Sequence, residues 1–191
     1  MHMLREWKST GVRPKIFQKY YQKAIILKNM ADTDSKHKLI VVRVVSGGWH
    51  ALNIAQIMIN DVELKMDYNE NFHYRGLHIV ILDPRTGAPT EAHVFDTNET
   101  SLEFDAFIKK GVPDGHIVIA ACKDDCVKEM SQKGKDWFED LGSKEIEFLK
   151  YRQSWAFIAI SGKKKAFEAR HDALKTQAIV QQVFRVDQEF A

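Results

Sequence analysis

Residues 74–97 read YRGLHIVILDPRTGAPTEAHVFDT. Leu77, Ile79 and Ile81 alternate with His78, Val80 and Leu82, so the stretch is apolar on nearly both faces. That pattern predicts a central strand covered on two sides. It stops at Asp83-Pro84-Arg85-Thr86-Gly87, where Pro84 fixes φ for a first turn position and Gly87 tolerates φ > 0. A second strand, near residues 91–95, returns beside the first. The unit is strand–turn–strand, with Arg75 at its mouth.

Working outward, 191 residues are enough for one domain with extensions. Hydrophobic content of 45% and charged content of 28% place the chain with ordinary globular proteins and away from disordered ones. No apolar run reaches the roughly 18 residues of a membrane span. The opening MHMLREWKSTGVRP lacks the apolar segment of a secretory leader. Two cysteines, Cys122 and Cys126, are too few for a disulfide framework. They favour a reducing compartment or a fold that needs no bridges. An intracellular or organellar location, for example mitochondrial, is therefore expected over secretion.

The formal net charge of +2 is unevenly spread. Residues 1–28 carry seven Lys/Arg against Glu6 alone, a balance of +6, which leaves −4 for the remainder. From Pro14 onward Ile16, Phe17, Tyr20, Tyr21, Ala24 and Ile25 recur at helical spacing between lysines. Residues 1–37 thus read as a basic amphipathic arm with a polar linker, and residues 38–191 as the folded domain. The arm either packs on its own domain, docks to a partner or membrane surface, or is a retained targeting segment.

Within the domain, residues 39–45 are β-rich and Ser46-Gly47-Gly48 is expected to break them. Residues 53–64 read as a strand pair or bent strand turning at Asn60-Asp61. Thr100-Ser101-Leu102-Glu103 fits a capping box opening a short helix that Gly111 and Pro113 stop. Residues 115–121 and 154–160 are buried-type strands. Asp124 and Asp125 are expected to start a helix bearing Val127, Met130, Trp137, Phe138 and Leu141 and closing at Gly142. Residues 162–165 form a basic turn, and a last strand covers 177–186. Strands outnumber helices, and no internal repeat is present.

Signatures of catalysis are missing. The sequence has no Gly-x-Ser-x-Gly elbow, no phosphate loop ending in Gly-Lys-Ser/Thr, and no Gly-x-Gly-x-x-Gly. Eight histidines are scattered without ligand spacing. Cys122 and Cys126 would need two further metal ligands that nothing nearby supplies. No metal, no cofactor, no enzyme activity and no nucleic-acid partner are expected. Asn98-Glu99-Thr100 is a glycosylation triplet of a kind chance produces often.

Three phrases in order and spacing carry a resemblance. They are Arg75-Gly-Leu-His-Ile-Val-Ile-Leu followed by Thr86-Gly87 and Phe95-Asp96; Gly115-His-Ile-Val-Ile-Ala-Ala-Cys-Lys-Asp124; and Leu141-Gly-Ser followed by Tyr151-Arg152-Gln-Ser-Trp155-Ala-Phe. Over about residues 38–187 the chain resembles the ILEI/PANDER-type domain. That domain forms the interleukin-like EMT inducer and pancreatic-derived factor family. It also forms the stem of the protein O-mannose N-acetylglucosaminyltransferase and occurs in cell-surface hyaluronidase-related proteins. The resemblance implies an α+β, β-sandwich-like module of mostly antiparallel strands with two or three peripheral helices.

In the glycosyltransferase stem the module binds carbohydrate through two arginines and an aspartate. The matching positions are Arg75, Asp124 and Arg152, with Tyr151 or Trp155 able to offer an apolar face. Alternatively, Asp124 or Asp125 is a helix N-cap and the three residues form a structural ion-pair cluster. The expected function is a non-catalytic binding module for a sugar or other small polar ligand. The runner-up is an accessory subunit of a large intracellular or organellar assembly. That subunit would be tethered to a protein partner through residues 1–36, with Trp7, Ile16, Phe17, Tyr20, Tyr21 and Ile25 as docking residues.

Overall fold

The strand predicted from residues 77–82 is present as β4 (Gly76–Leu82), and every residue of it is buried. In the computed structural model, which describes residues 39–64, 75–172 and 175–186, it lies between two antiparallel neighbours. These are β5 (Pro89–Phe95) and β6 (Ile117–Asp124). The turn from β4 to β5 is held by the Asp83 carboxylate, which accepts from the amides of Arg85 (2.8 Å) and Thr86 (2.8 Å) and from the Thr86 hydroxyl (3.0 Å). Gly87 sits at φ 70° with its Cα against the Ile40 side chain, so the turn closes onto a neighbouring layer.

Around this unit the other elements are β1 (Leu39–Gly48), β2 (Ala55–Ile59), β3 (Val62–Glu63), α1 (Leu102–Lys110), α2 (Gln132–Asp140), a 3-10 turn (Ile146–Phe148), β7 (Ser154–Ile160), β8 (Lys165–His171) and β9 (Ala178–Arg185). Among the described residues nine strands make one mixed sheet. It divides into two antiparallel halves, β3-β2-β1-β9 and β5-β4-β6-β7-β8. Among the described residues the halves share one parallel pairing, where Gly47 and Gly48 of β1 meet Lys123 and Asp124 of β6. The class is α+β, as the resemblance implies.

Alternation along the second half gives it two apolar faces. One carries Leu77, Ile79, Ile81, Val118, Ala120, Trp155 and Phe157 and is covered by α1 and α2 through Phe104, Phe107 and Phe138. Phe138 sets its ring edge-on to Trp155 (4.8 Å) and Phe157 (5.2 Å). The opposite face meets the first half, where Phe167 of β8 reaches Phe184 of β9 at 6.5 Å. Each fully buried aromatic stabilises the fold by about 1.5–3 kcal/mol through area removed from water.

Several expectations are corrected. Gly47 and Gly48 do not end β1; they continue it across to β6, and glycine is needed there because an added Cβ would meet the Ala51 carbonyl at Gly47 and the Arg152 carbonyl at Gly48. The Thr100–Glu103 capping box does not form. Ser101 at the N-cap makes no side-chain cap bond, and its hydroxyl donates to Asp105 instead (3.3 Å). Asp124 and Asp125 start no helix, since α2 begins after Ser131, whose hydroxyl accepts from the Gly134 amide (3.1 Å). Cys122 and Cys126 are bonded to each other, with Cα atoms 5.4 Å apart, so the thiols no longer argue for a reducing compartment. β8 was not expected at all. No helix of the described residues is long and apolar enough to cross a membrane. The arm and its residues Trp7, Ile16, Phe17, Tyr20, Tyr21 and Ile25 lie outside the described residues.

Candidate functional site

Strand register gathers the three motif-matched polar residues at one end of the sheet. Gly76 pairs with Lys123, so Arg75 stands level with Asp124. Ala121 pairs with Ala156, which carries the turn before β7, with Arg152 in it, to the same end. The parallel pairing of Gly48 with Asp124 adds the loop after β1. Its Trp49 amide donates to the Asp124 carbonyl (3.2 Å).

Asp124 and Arg152 both adopt left-handed backbone, at φ 61° and 60°. A non-glycine residue there costs about 1–2 kcal/mol, less for Asp, and such strain gathers at functional positions. Neighbouring contacts hold both in place. The Asp125 carboxylate, 1% exposed, accepts from the amides of Val127 (3.1 Å) and Arg152 (3.5 Å) and from Asn98 Nδ2 (3.0 Å). The disulfide closes the Cys122–Cys126 loop around Asp124. Gly48 is compulsory because its Cα faces the Arg152 carbonyl, which an added Cβ would meet at 1.9 Å.

The two arginines behave differently. Arg75 is engaged, with Nε on Asp96 (3.0 and 3.2 Å) and Nη2 on Glu99 (2.5 Å). The Asp96 hydrogen bond holds its guanidinium pKa above the ordinary value against the opposing effect of burial. Arg152 lies 3.5 Å from Asp124 through Nε and Oδ1, too far for a good hydrogen bond. Both of those atoms are buried without a hydrogen-bond partner. The Arg152 guanidinium instead lies over the rings of Trp49 (5.1 Å) and Tyr151 (4.9 Å). Burial pushes the Asp124 carboxyl above its usual range, with Arg152 and Arg75 pulling back and Asp125 and Asp96 adding to the rise.

Arg75, Asp124, Arg152 and Tyr151 are therefore neighbours. Trp155 is elsewhere: it is fully buried beside Phe138 and Phe157 and donates Nε1–H to Glu168 (3.0 Å), so it has no face for a ligand. Neither aspartate caps a helix. The ion-pair alternative holds only loosely, since Arg75 spends its donors on Asp96 and Glu99. Trp49 was missed; its signal was an aromatic after a Gly-Gly pair, left half-exposed at 49%. Among the described residues one acidic trio, Asp136, Glu139 and Glu147, has spacing for a cation. It is exposed, and two of its members are already bonded, Asp136 and Glu147 to Gln132 and Glu147 also to Lys135.

Residues 75–163 match the family model described as interleukin-like EMT inducer, ILEI. They form an ILEI domain. Protein FAM3B of Homo sapiens is 34% identical over 122 residues, 63% of this chain and 51% of that protein. Protein FAM3C of Danio rerio is 32% identical over 88 residues, 46% of this chain and 39% of that protein. The cell migration-inducing and hyaluronan-binding protein of Homo sapiens is 26% identical over 97 residues, half of this chain but 7% of that much longer protein. The chain spans about half the length of the FAM3 relatives it matches, or less. Arg75, Asp124, Tyr151 and Arg152 fall inside the ILEI domain, while Trp49 precedes it. These relatives lend no support to the accessory-subunit alternative.

Proposed function

We propose that this chain is a non-catalytic binding module whose ligand is a sugar or another small polyhydroxylated molecule held at the Arg75–Asp124–Arg152 end of the ILEI domain. The observation that carries the reading is the Asp124–Arg152 pair. Here a buried carboxylate oxygen and a buried guanidinium nitrogen face each other at 3.5 Å without either finding a hydrogen-bond partner. Unsatisfied buried polar atoms cost about 1–3 kcal/mol each, and a ligand hydroxyl, which both donates and accepts, would satisfy both once the partly exposed Arg152 side chain swings aside to admit it. Trp49 and Tyr151 flank the pair with half-exposed rings, the flat apolar surface that a sugar ring stacks on. One matched relative is itself named as hyaluronan-binding, which supports a glycan as the ligand class.

The experiment is glycan-array binding followed by calorimetry with a methyl β-N-acetylglucosaminide and with hyaluronan oligosaccharides. Arg152→Gly suits the test because glycine accepts φ 60° without strain. Losing a charged donor costs about 1.5–3 kcal/mol, so affinity should fall roughly ten- to a hundredfold. Unchanged affinity in that variant would move the site elsewhere, and no binding to any glycan would sink the reading.

A further inference from the structure

The turn between β5 and α1 carries Asn98-Glu99-Thr100, the sequence's one triplet of asparagine, any residue but proline, and Ser or Thr. We propose that Asn98 is an N-glycosylation acceptor and that its glycan stands at the rim of the candidate site. The triplet supplies a hydroxyl two residues beyond the amide, the arrangement that the transfer reaction requires. Chance also produces such triplets, so the structural context has to decide.

Three observations do so. First, in the turn of residues 97–99 Thr97 is buried and Asn98 half-buried, and the chain then emerges, with the Glu99 side chain 69% exposed. Second, Asn98 Nδ2 spends one hydrogen on Asp125 Oδ2 at 3.0 Å. A glycosylated amide keeps one N–H, so this bond survives modification and the other hydrogen is the one replaced. Third, the Cys122–Cys126 disulfide fits a chain folded under oxidising conditions, as in the compartment where N-glycans are attached.

The step balances with a polyprenyl-diphosphate-linked oligosaccharide as donor. Asn98 Nδ2 bonds to the anomeric carbon and the carbon–oxygen bond to diphosphate breaks. Polyprenyl diphosphate leaves with the electron pair, and the amide gives up one proton.

Position gives the modification a consequence. Asn98 is bonded to Asp125, the neighbour of Asp124, and Glu99 pairs with Arg75 at 2.5 Å. The first sugar is thus rooted within one residue of two groups that build the site, and it narrows the approach for large ligands.

The test expresses the full chain behind a secretion leader in cultured animal cells and analyses both the secreted and the retained protein. Peptide mapping after amidase release of N-glycans should find Asn98 converted to Asp, with one glycan per chain. Asn98→Gln and Thr100→Ala should each abolish the glycan, and Thr100→Ser should keep it. Thr100→Ala retains the Asn98–Asp125 bond, so it reports on modification even where Asn98→Gln folds poorly. An unmodified Asn98 peptide in every wild-type fraction overturns the proposal, as does a glycan that persists in Asn98→Gln.

Discussion

Asp83 and Asp124 are both aspartates at strand ends, yet their surroundings move them in opposite directions. For Asp83 burial raises the pKa, but bonds from the Thr86 amide and hydroxyl and the Arg85 amide outweigh it, and the net shift is below 3.8. A depressed folded-state value contributes stability above the unfolded pKa and loses it as pH falls through the folded one. Asp83→Ala should therefore destabilise by about 1–2 kcal/mol at neutral pH, from the lost turn bonds. Its deficit against wild type should shrink below pH 3.8 in acid-series urea titrations. For Asp124 the net shift is upward, led by burial. Its ionised form therefore weakens the fold as pH rises from 3.8 through the higher folded value, and Asp124→Asn should gain on wild type across that window. Residues of this kind are only partly legible in sequence. Arg75, Asp124 and Arg152 could be picked out by motif, but not the fact that Arg75 is already committed to Asp96 and Glu99. Trp155 was misplaced because its strand is covered on both faces, so alternation does not tell a ligand-facing side from a packed one.

Among the elements, α2 shows packing overruling propensity. Gly134 lies inside the helix, where Ala is normally better by about 1 kcal/mol. An added Cβ would stand 2.9 Å from the Phe104 ring and 3.1 Å from Met130, and crowding of that kind costs about 1–3 kcal/mol. Gly134→Ala is expected to lower stability, by up to about 2 kcal/mol in urea unfolding; a gain would show that Phe104 yields freely. The disulfide can be weighed similarly. It joins residues four apart, and closing so short a loop is worth about 2 kcal/mol on the chain-entropy account. Cys122→Ser with Cys126→Ser should lower Tm by roughly 4–8 °C in calorimetry. The strands of residues 77–82 and 154–160 were readable because they are continuous apolar runs. β8 was not, because one face carries Glu168 and Arg170. Those charges are tied to Ser143, Trp155 and Glu145 rather than to water, and sequence shows charges without showing their partners. The start of α2 was displaced for a related reason: Asp125 resembles a cap, but its oxygens bond to Asn98 and Val127.

At the scale of the whole molecule, the predicted α+β class was legible, while the order of strands across the sheet was not. Nothing in the composition of β1 announces that its last two residues leave one half and pair with β6 in the other. Gly48→Ala tests that crossing: with a Cβ only 1.9 Å from the Arg152 carbonyl, the backbone has to shift, at about 3 kcal/mol or more. Thermal unfolding should show a large loss, and any ligand affinity should fall with it. The same crossing has a second consequence. Trp49 follows a strand of the first half and Arg152 precedes a strand of the second, so a ligand gripping both acts as a rivet between the halves. Binding and layer cohesion then become reciprocal quantities: at a hundred times Kd the occupied protein would resist unfolding by about 2.7 kcal/mol more. Anything that pries the halves apart would, by the same linkage, release the ligand.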